Sequence, residues 1–260
     1  MMRKYFYSAL CLAVVTLSCL LFPAITTAQD LNLSLEEVSF RTKDGVTISA
    51  SWIIPTDERS HKKSSKFPVV ILLHDYGLNR RDWGVFIPDL VQNGFGVLAP
   101  DLRGHGQSRG DGAVAAPSVE NLLKTGIVDV EAALRWVKSQ KRANAKRVAL
   151  IGVGVGGDIA YLCSGVLKKK IRTSVVISPS DILVTGGEFI NLEAQSVLFC
   201  VSSASQGGLT MIAAETLEKF TKDPKKLIIY RGDSHGFALF YKHPDLKHVI
   251  LDWLNFLKRS

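Results

Sequence analysis

The residue types used in acid–base and nucleophilic chemistry are concentrated in four short segments of the 260-residue sequence. These are His74-Asp75-Tyr76-Gly77, Asp101-Leu102-Arg103-Gly104-His105-Gly106-Gln107-Ser108, Gly152-Val153-Gly154-Val155-Gly156-Gly157 and Gly232-Asp233-Ser234-His235-Gly236. Histidine moves protons near neutral pH, a carboxylate orients it, and glycine lets backbone amides approach a developing anion. Gly152-x-Gly154-x-x-Gly157 also fits a dinucleotide fingerprint, which opens its fold and is followed about twenty residues on by an acid at the next strand end. Here several strands precede it and the next one ends in Ser178-Pro179-Ser180, so nucleotide binding is set aside. No group has metal-ligand spacing, and neither a metal nor a cofactor is implied.

The elements that must position these segments alternate between strand and helix periodicity. Val38 to Thr42 and Val46 to Ile54, joined through Asp44-Gly45, form a hairpin pattern. Phe67 to Leu73 is a continuous aliphatic run of the kind a doubly covered parallel strand shows. Helix Arg80 to Gln92, strand Gly96 to Ala99, helix Val119 to Lys138, strand Arg147 to Ile151 and helix Gly157 to Leu167 follow. Strands Thr173 to Ser178, Val197 to Val201 and Lys226 to Tyr230 complete the pattern with helices Leu209 to Phe220 and Pro244 to Leu257. This order implies an α/β chain: a mostly parallel eight-stranded sheet, helices on both faces and an N-terminal antiparallel hairpin. Ligands of such sheets sit beyond the carboxyl ends of the strands, where all four segments fall.

In order and spacing the four segments resemble an α/β-hydrolase, most closely the dienelactone-hydrolase and esterase-like branch, over about Val38 to Leu257. The resemblance implies a nucleophile on the sharp turn of Gly-x-Ser-x-Gly, a histidine at His235, and a carboxylate four residues past strand Val197 to Val201. It also implies oxyanion donors at the amides of Tyr76 and Val155. Only Asp181 to Gln195 separate two successive strands, which leaves no room for a large lid.

Two of the three triad positions depart from the pattern. The nucleophile position is Gly154, which has no group to attack anything, although Gly152 and Gly156 flank it as expected. The acid position is Ser205, and Ser202-Ser203-Ala204-Ser205-Gln206 holds no carboxylate. His235 is then a vestigial or retained base. Glycine adopts the positive-φ geometry of such a turn without the 1–3 kcal/mol or so that another residue incurs. Cys163, Ser164, Ser202, Ser203 and Ser205 lack elbow geometry as substitute nucleophiles. Loss of a serine nucleophile lowers turnover by about a millionfold. The expectation is a catalytically inactive pseudo-hydrolase with a binding or structural role. The alternative is an active esterase or lactonase working through other residues. Gly154→Ser with Ser205→Asp is expected to restore an acyl-enzyme. Arg80, Arg81 and Trp83 fall on the expected rim, at a solvated helix start.

At the amino terminus Arg3 and Lys4 precede an apolar run, Ser8 to Phe22, and small residues lead to Ala28. This is the pattern of a secretory signal, giving residues 1–28 as signal peptide, 29–260 as a single domain, and a periplasmic or extracellular location. Cys19 is a poor lipidation site. Cleavage removes Arg3 and Lys4, reducing the formal +8 to +6, and leaves Cys163 and Cys200 as buried thiols. The remaining lysine clusters lie mainly at amino ends of strands. Their default reading is a solvated surface; the partners considered for an exported chain are an envelope component or peripheral membrane contact rather than nucleic acid, beside a small-molecule ligand at the site.

Overall fold

Phe67–Leu73 is buried at all seven positions, because its alternating side chains serve two cores. Val69, Ile71 and Leu73 join one cluster, while Val70 and Leu72 join the other, as a period of two requires. The structure is a computed structural model that describes residues 33–55, 66–109, 117–187 and 189–258. The expected signal segment lies outside the described residues.

The strands are β1 (Leu33–Arg41), β2 (Thr47–Pro55), β3 (Phe67–Leu73), β4 (Gly96–Pro100), β5 (Ala143–Val153), β6 (Thr173–Ile177), β7 (Gln195–Ser202) and β8 (Lys222–Tyr230). They form one eight-stranded sheet in the order β1-β2-β4-β3-β5-β6-β7-β8. The β1–β2 and β2–β4 pairs are antiparallel and the rest are parallel. The helices are α1 (Ile87–Gln92), α2 (Val119–Ser139), α3 (Val155–Val166), α4 (Ile182–Gly186), α5 (Leu209–Lys219), α6 (Ala238–Lys242) and α7 (Leu246–Leu254). Leu122, Ile159 and Leu217 bring α2, α3 and α5 to one core. Leu90, Leu239 and Ile250 bring α1, α6 and α7 to the other. This is the α/β-hydrolase architecture that the element order implies.

Two elements differ from expectation. The helix expected over Arg80 to Gln92 is a 3-10 turn, Arg80–Val85, followed by α1. A capping box at Asn79 and Asp82 fixes the turn, and Pro88 sits in the first turn of α1, where proline starts helices but does not continue them. The last helix starts at Leu246, two residues after Pro244, and α6 fills the interval after the His235 loop.

Candidate functional site

Strand β5 ends at Val153 and α3 starts at Val155, so the chain reverses at Gly154, where φ is 55° and ψ is −125°. That is the positive-φ region where glycine carries no penalty. The turn is tight enough that a Cβ at Gly152 would lie 2.0 Å from the Gly156 carbonyl oxygen, and one at Gly156 would lie 2.3 Å from the Leu73 carbonyl oxygen. Backbone contact therefore requires glycine at 152 and 156, while at Gly154, the tip of the elbow, the positive φ favours it.

Above the tip lies the side chain of Asp75. A Cβ on Gly154 would meet Asp75 Oδ1 at 2.0 Å, so the carboxylate fills the volume a nucleophile's side chain needs. The same oxygen accepts hydrogen bonds from the amides of Tyr76 at 2.7 Å and Val155 at 2.9 Å. These are the two amides that the sequence points to as oxyanion donors. They converge, but the anion between them is the protein's own. The two amides expected as oxyanion donors are thus already occupied by Asp75, and Gly154→Ser with Ser205→Asp leaves that charge beside them.

His235 stands beside this carboxylate, its Nε2 3.8 Å from Asp75 Oδ2. On the other side of the ring, Nδ1 lies 3.0 Å from Ser205 Oγ. The cluster thus contains a hydroxyl, an imidazole and a carboxylate, with hydroxyl and carboxylate exchanged relative to a serine-hydrolase triad. A ring that carries its proton on Nε2, facing Asp75, accepts the Ser205 hydroxyl proton on Nδ1; a doubly protonated ring donates to the same oxygen. At 3.8 Å the contact between His235 and Asp75 is too long for a hydrogen bond, so the three groups do not form a connected relay. Ser205 has no exposed surface, so no substrate carbonyl reaches it. Ser178, with φ of 49° and complete burial, steadies the histidine loop by accepting from the Gly236 amide at 3.1 Å.

The first two segments brace one another through their histidines. His74 Nε2 accepts from the Leu102 amide at 2.9 Å, so its proton is on Nδ1, which donates to the Asp75 carbonyl at 2.7 Å. His105 Nε2 likewise accepts from the Gly77 amide at 3.0 Å, and its Nδ1 donates to the Arg103 carbonyl at 3.0 Å. Each histidine pins the other's loop. Burial pulls the His74 imidazole down to about 4, against the partial compensation of its bond to the Asp75 carbonyl.

Arg80 and Trp83 are not rim residues. Arg80 is buried and pairs with buried Asp101. It also donates to Ser51 Oγ at 3.0 Å and Gln107 Oε1 at 2.6 Å. Trp83 is fully buried, edge-on to Phe237; Arg81 alone of the three is exposed. Arg103 ties the Asp101–Ser108 loop to α2 through Asp129 at 2.5 Å. Beneath the elbow, Asp158 in the first turn of α3 is wholly buried, and burial raises its carboxyl well above the usual range. It accepts from the amide of Ser180 at 3.1 Å.

Sequence reasoning sought the carboxylate only after β7 and missed Asp75 after β3. The available signal was its place one residue before an expected oxyanion donor, at a strand end already marked for inspection.

Residues 59–250 match the dienelactone hydrolase family. The YfhR protein of Escherichia coli K12 is 25% identical over 232 residues, covering 82% of this chain and 78% of its own length. Among solved structures, the Pyrococcus furiosus esterase Pf2001 superposes with a TM-score of 0.68 at 20% identity, covering 88% of this chain and 95% of its own. The α/β hydrolase GrgF of Penicillium superposes with a TM-score of 0.63 at 17% identity, covering 87% of this chain and 98% of its own.

Proposed function

The chain belongs to the dienelactone hydrolase family, and from that premise we propose that it is an exported member that has lost hydrolysis and acts by association. The observation that carries this reading is the Asp75 carboxylate lodged over Gly154, with its Oδ1 on both the Tyr76 and Val155 amides. Serine-type ester hydrolysis needs an attacking oxygen at the elbow and an empty pair of donors for the oxyanion. The first is missing and the second is filled by a fixed negative charge, which repels the anion that the transition state develops.

Export is supported by Arg3 and Lys4 ahead of the apolar run Ser8 to Phe22 and by the small residues leading to Ala28; on this reading the mature chain starts at Gln29, and N-terminal sequencing of the exported protein is the test, any other start overturning it. The test of lost hydrolysis is the purified protein with p-nitrophenyl acetate and butyrate. Release of p-nitrophenol at the buffer rate, unchanged by His235→Ala, is the expected result. Turnover above background that His235→Ala abolishes overturns the proposal.

A further inference from the structure

The amino ends of the parallel strands carry a cleft of about 1000 Å³ between the C-terminal part of α2, the start of β5 and the connection from α3 to β6. Lys66, Arg135, Lys138, Lys146, Lys169 and Arg172 line it, and all six are exposed. Among the described residues none of the six has a carboxylate within ion-pairing distance. Glu131, the acidic residue of the lining, is already held by Lys43 at 3.4 Å and Lys170 at 3.3 Å. On the neighbouring stretch of the same end, by contrast, Lys168 and Lys222 are neutralised by Glu193. Helix dipoles account for cations at the ends of α2 and α3, such as Lys138 and Lys169. They do not account for Lys66 before β3, Lys146 within β5 or Arg172 before β6. The uncompensated charge is therefore a feature of this face, independent of how the Asp75–His235 site is read.

A further observation selects the partner. Exposed apolar side chains stand near these cations: Val166 at the end of α3, three residues before Lys169, and Phe256 on the adjoining cleft that Arg172 also lines. Phe220, at the end of α5, is exposed at the same end. Cations interleaved with exposed aliphatic and aromatic groups suit an anionic lipid surface, which takes both, better than a wholly polar polyanion.

We propose that the amino-end face of the sheet docks on an anionic phospholipid bilayer, with the Asp75–His235 site turned away from the membrane. The test is co-sedimentation of the mature exported chain, which on this reading starts at Gln29, with vesicles of phosphatidylcholine alone and with 40% phosphatidylglycerol. The readout is the ratio of the two partition coefficients. At low salt the ratio for the parent is on the order of tenfold or more, and it collapses towards one in 0.5 M NaCl. Lys138→Glu/Lys146→Glu/Lys169→Glu brings it to within twofold of one, whereas Arg231→Glu/Lys242→Glu, beyond the carboxyl ends of the strands, leaves it near the parent's. A parent ratio within twofold of one, or a triple variant that keeps the parent ratio, overturns the proposal. Capture of soluble polyphosphate by a parent that ignores phosphatidylglycerol vesicles also overturns the lipid assignment. The parent's salt dependence keeps the test decisive if the triple variant fails to fold.

Discussion

The carboxylate of Asp75 and the absent side chain of Gly154 occupy one volume: a Cβ at position 154 would lie 2.0 Å from Asp75 Oδ1 and 2.1 Å from its Cγ. The carboxylate cannot simply step aside, because the Tyr76 and Val155 amides hold it at 2.7 and 2.9 Å. The relationship is reciprocal. A side chain at 154 evicts the carboxylate, and the carboxylate keeps position 154 bare.

The first prediction is energetic coupling between the two positions. Gly154→Ser alone destabilises by about 1–3 kcal/mol, chiefly through strain at positive φ, with a smaller loss from the exposed Tyr76 amide and the part-buried Val155 amide as they give up their acceptor. In an Asp75→Gly background the strain remains but the clash is gone, so the two substitutions show a favourable coupling of about 1 kcal/mol or more. Urea unfolding of the four proteins in the cycle measures it, and simple additivity contradicts the shared-volume account.

A second prediction concerns reactivity. Gly154→Ser/Ser205→Asp supplies a hydroxyl and a carboxylate in the usual places, yet the displaced Asp75 carboxylate still stands beside the oxyanion donors. Its negative charge opposes the probe's phosphoryl oxygen there, so the double variant resists labelling by a fluorophosphonate probe. Adding Asp75→Gly removes that charge and leaves the donor pair to the phosphoryl oxygen, raising labelling on the order of a hundredfold, the scale of an oxyanion donor. Equal labelling of double and triple variants rules out the idea that Asp75 blocks the hole.

Arg80 provides a third. Its side chain is 5% exposed and that of its partner Asp101 is 1% exposed. Arg80→Met leaves Asp101 buried with only the backbone amides of Arg80 and Gln107 as donors. Removing one partner of such a pair costs about 3–5 kcal/mol. The adjacent Arg81→Met, at an exposed position, stays within about 0.5 kcal/mol of the parent. Thermal or urea unfolding of the two variants separates them, and similar losses at both positions contradict a structural role confined to Arg80.

Most of the fold was legible in the sequence. The aliphatic run Phe67–Leu73 read as a doubly covered strand, and Gly152, Gly154 and Gly156 marked the elbow through their resemblance to the family's Gly-x-Ser-x-Gly turn. The split of the expected Arg80 to Gln92 helix depended on a capping box, a local hydrogen-bond exchange that periodicity does not register. The burial of Arg80 and Trp83 was hidden because their partners, Asp101 and Phe237, are distant in sequence. Asp75 was hidden for a different reason. Side-chain substitution at one strand end was compensated at another, and a motif read position by position cannot show that the space lost at Gly154 was refilled 79 residues earlier in the chain.

The last prediction concerns pH and rests on two buried groups that act in opposite directions. The folded-state His74 value of about 4 lies below the ordinary 6.5. As pH falls below about 6.5 the unfolded chain takes up a proton that the folded one refuses. His74 therefore contributes stability that is complete above that pH and is lost towards pH 4, roughly 3 kcal/mol over the window. Asp158 is raised well above the ordinary 3.8, so above that value the folded chain keeps a proton the unfolded one has shed, and stability falls as pH rises. The two contributions therefore have opposite slopes in the parent. Asp158→Asn retains an acceptor for the Ser180 amide and removes the falling contribution, so its stability rises steadily from about pH 4.5 to 6.5. His74→Gln removes the rising contribution, and its stability falls over the same range. Urea midpoints at several pH values give both slopes, and parallel curves for the parent and the two variants refute the assignment of either group.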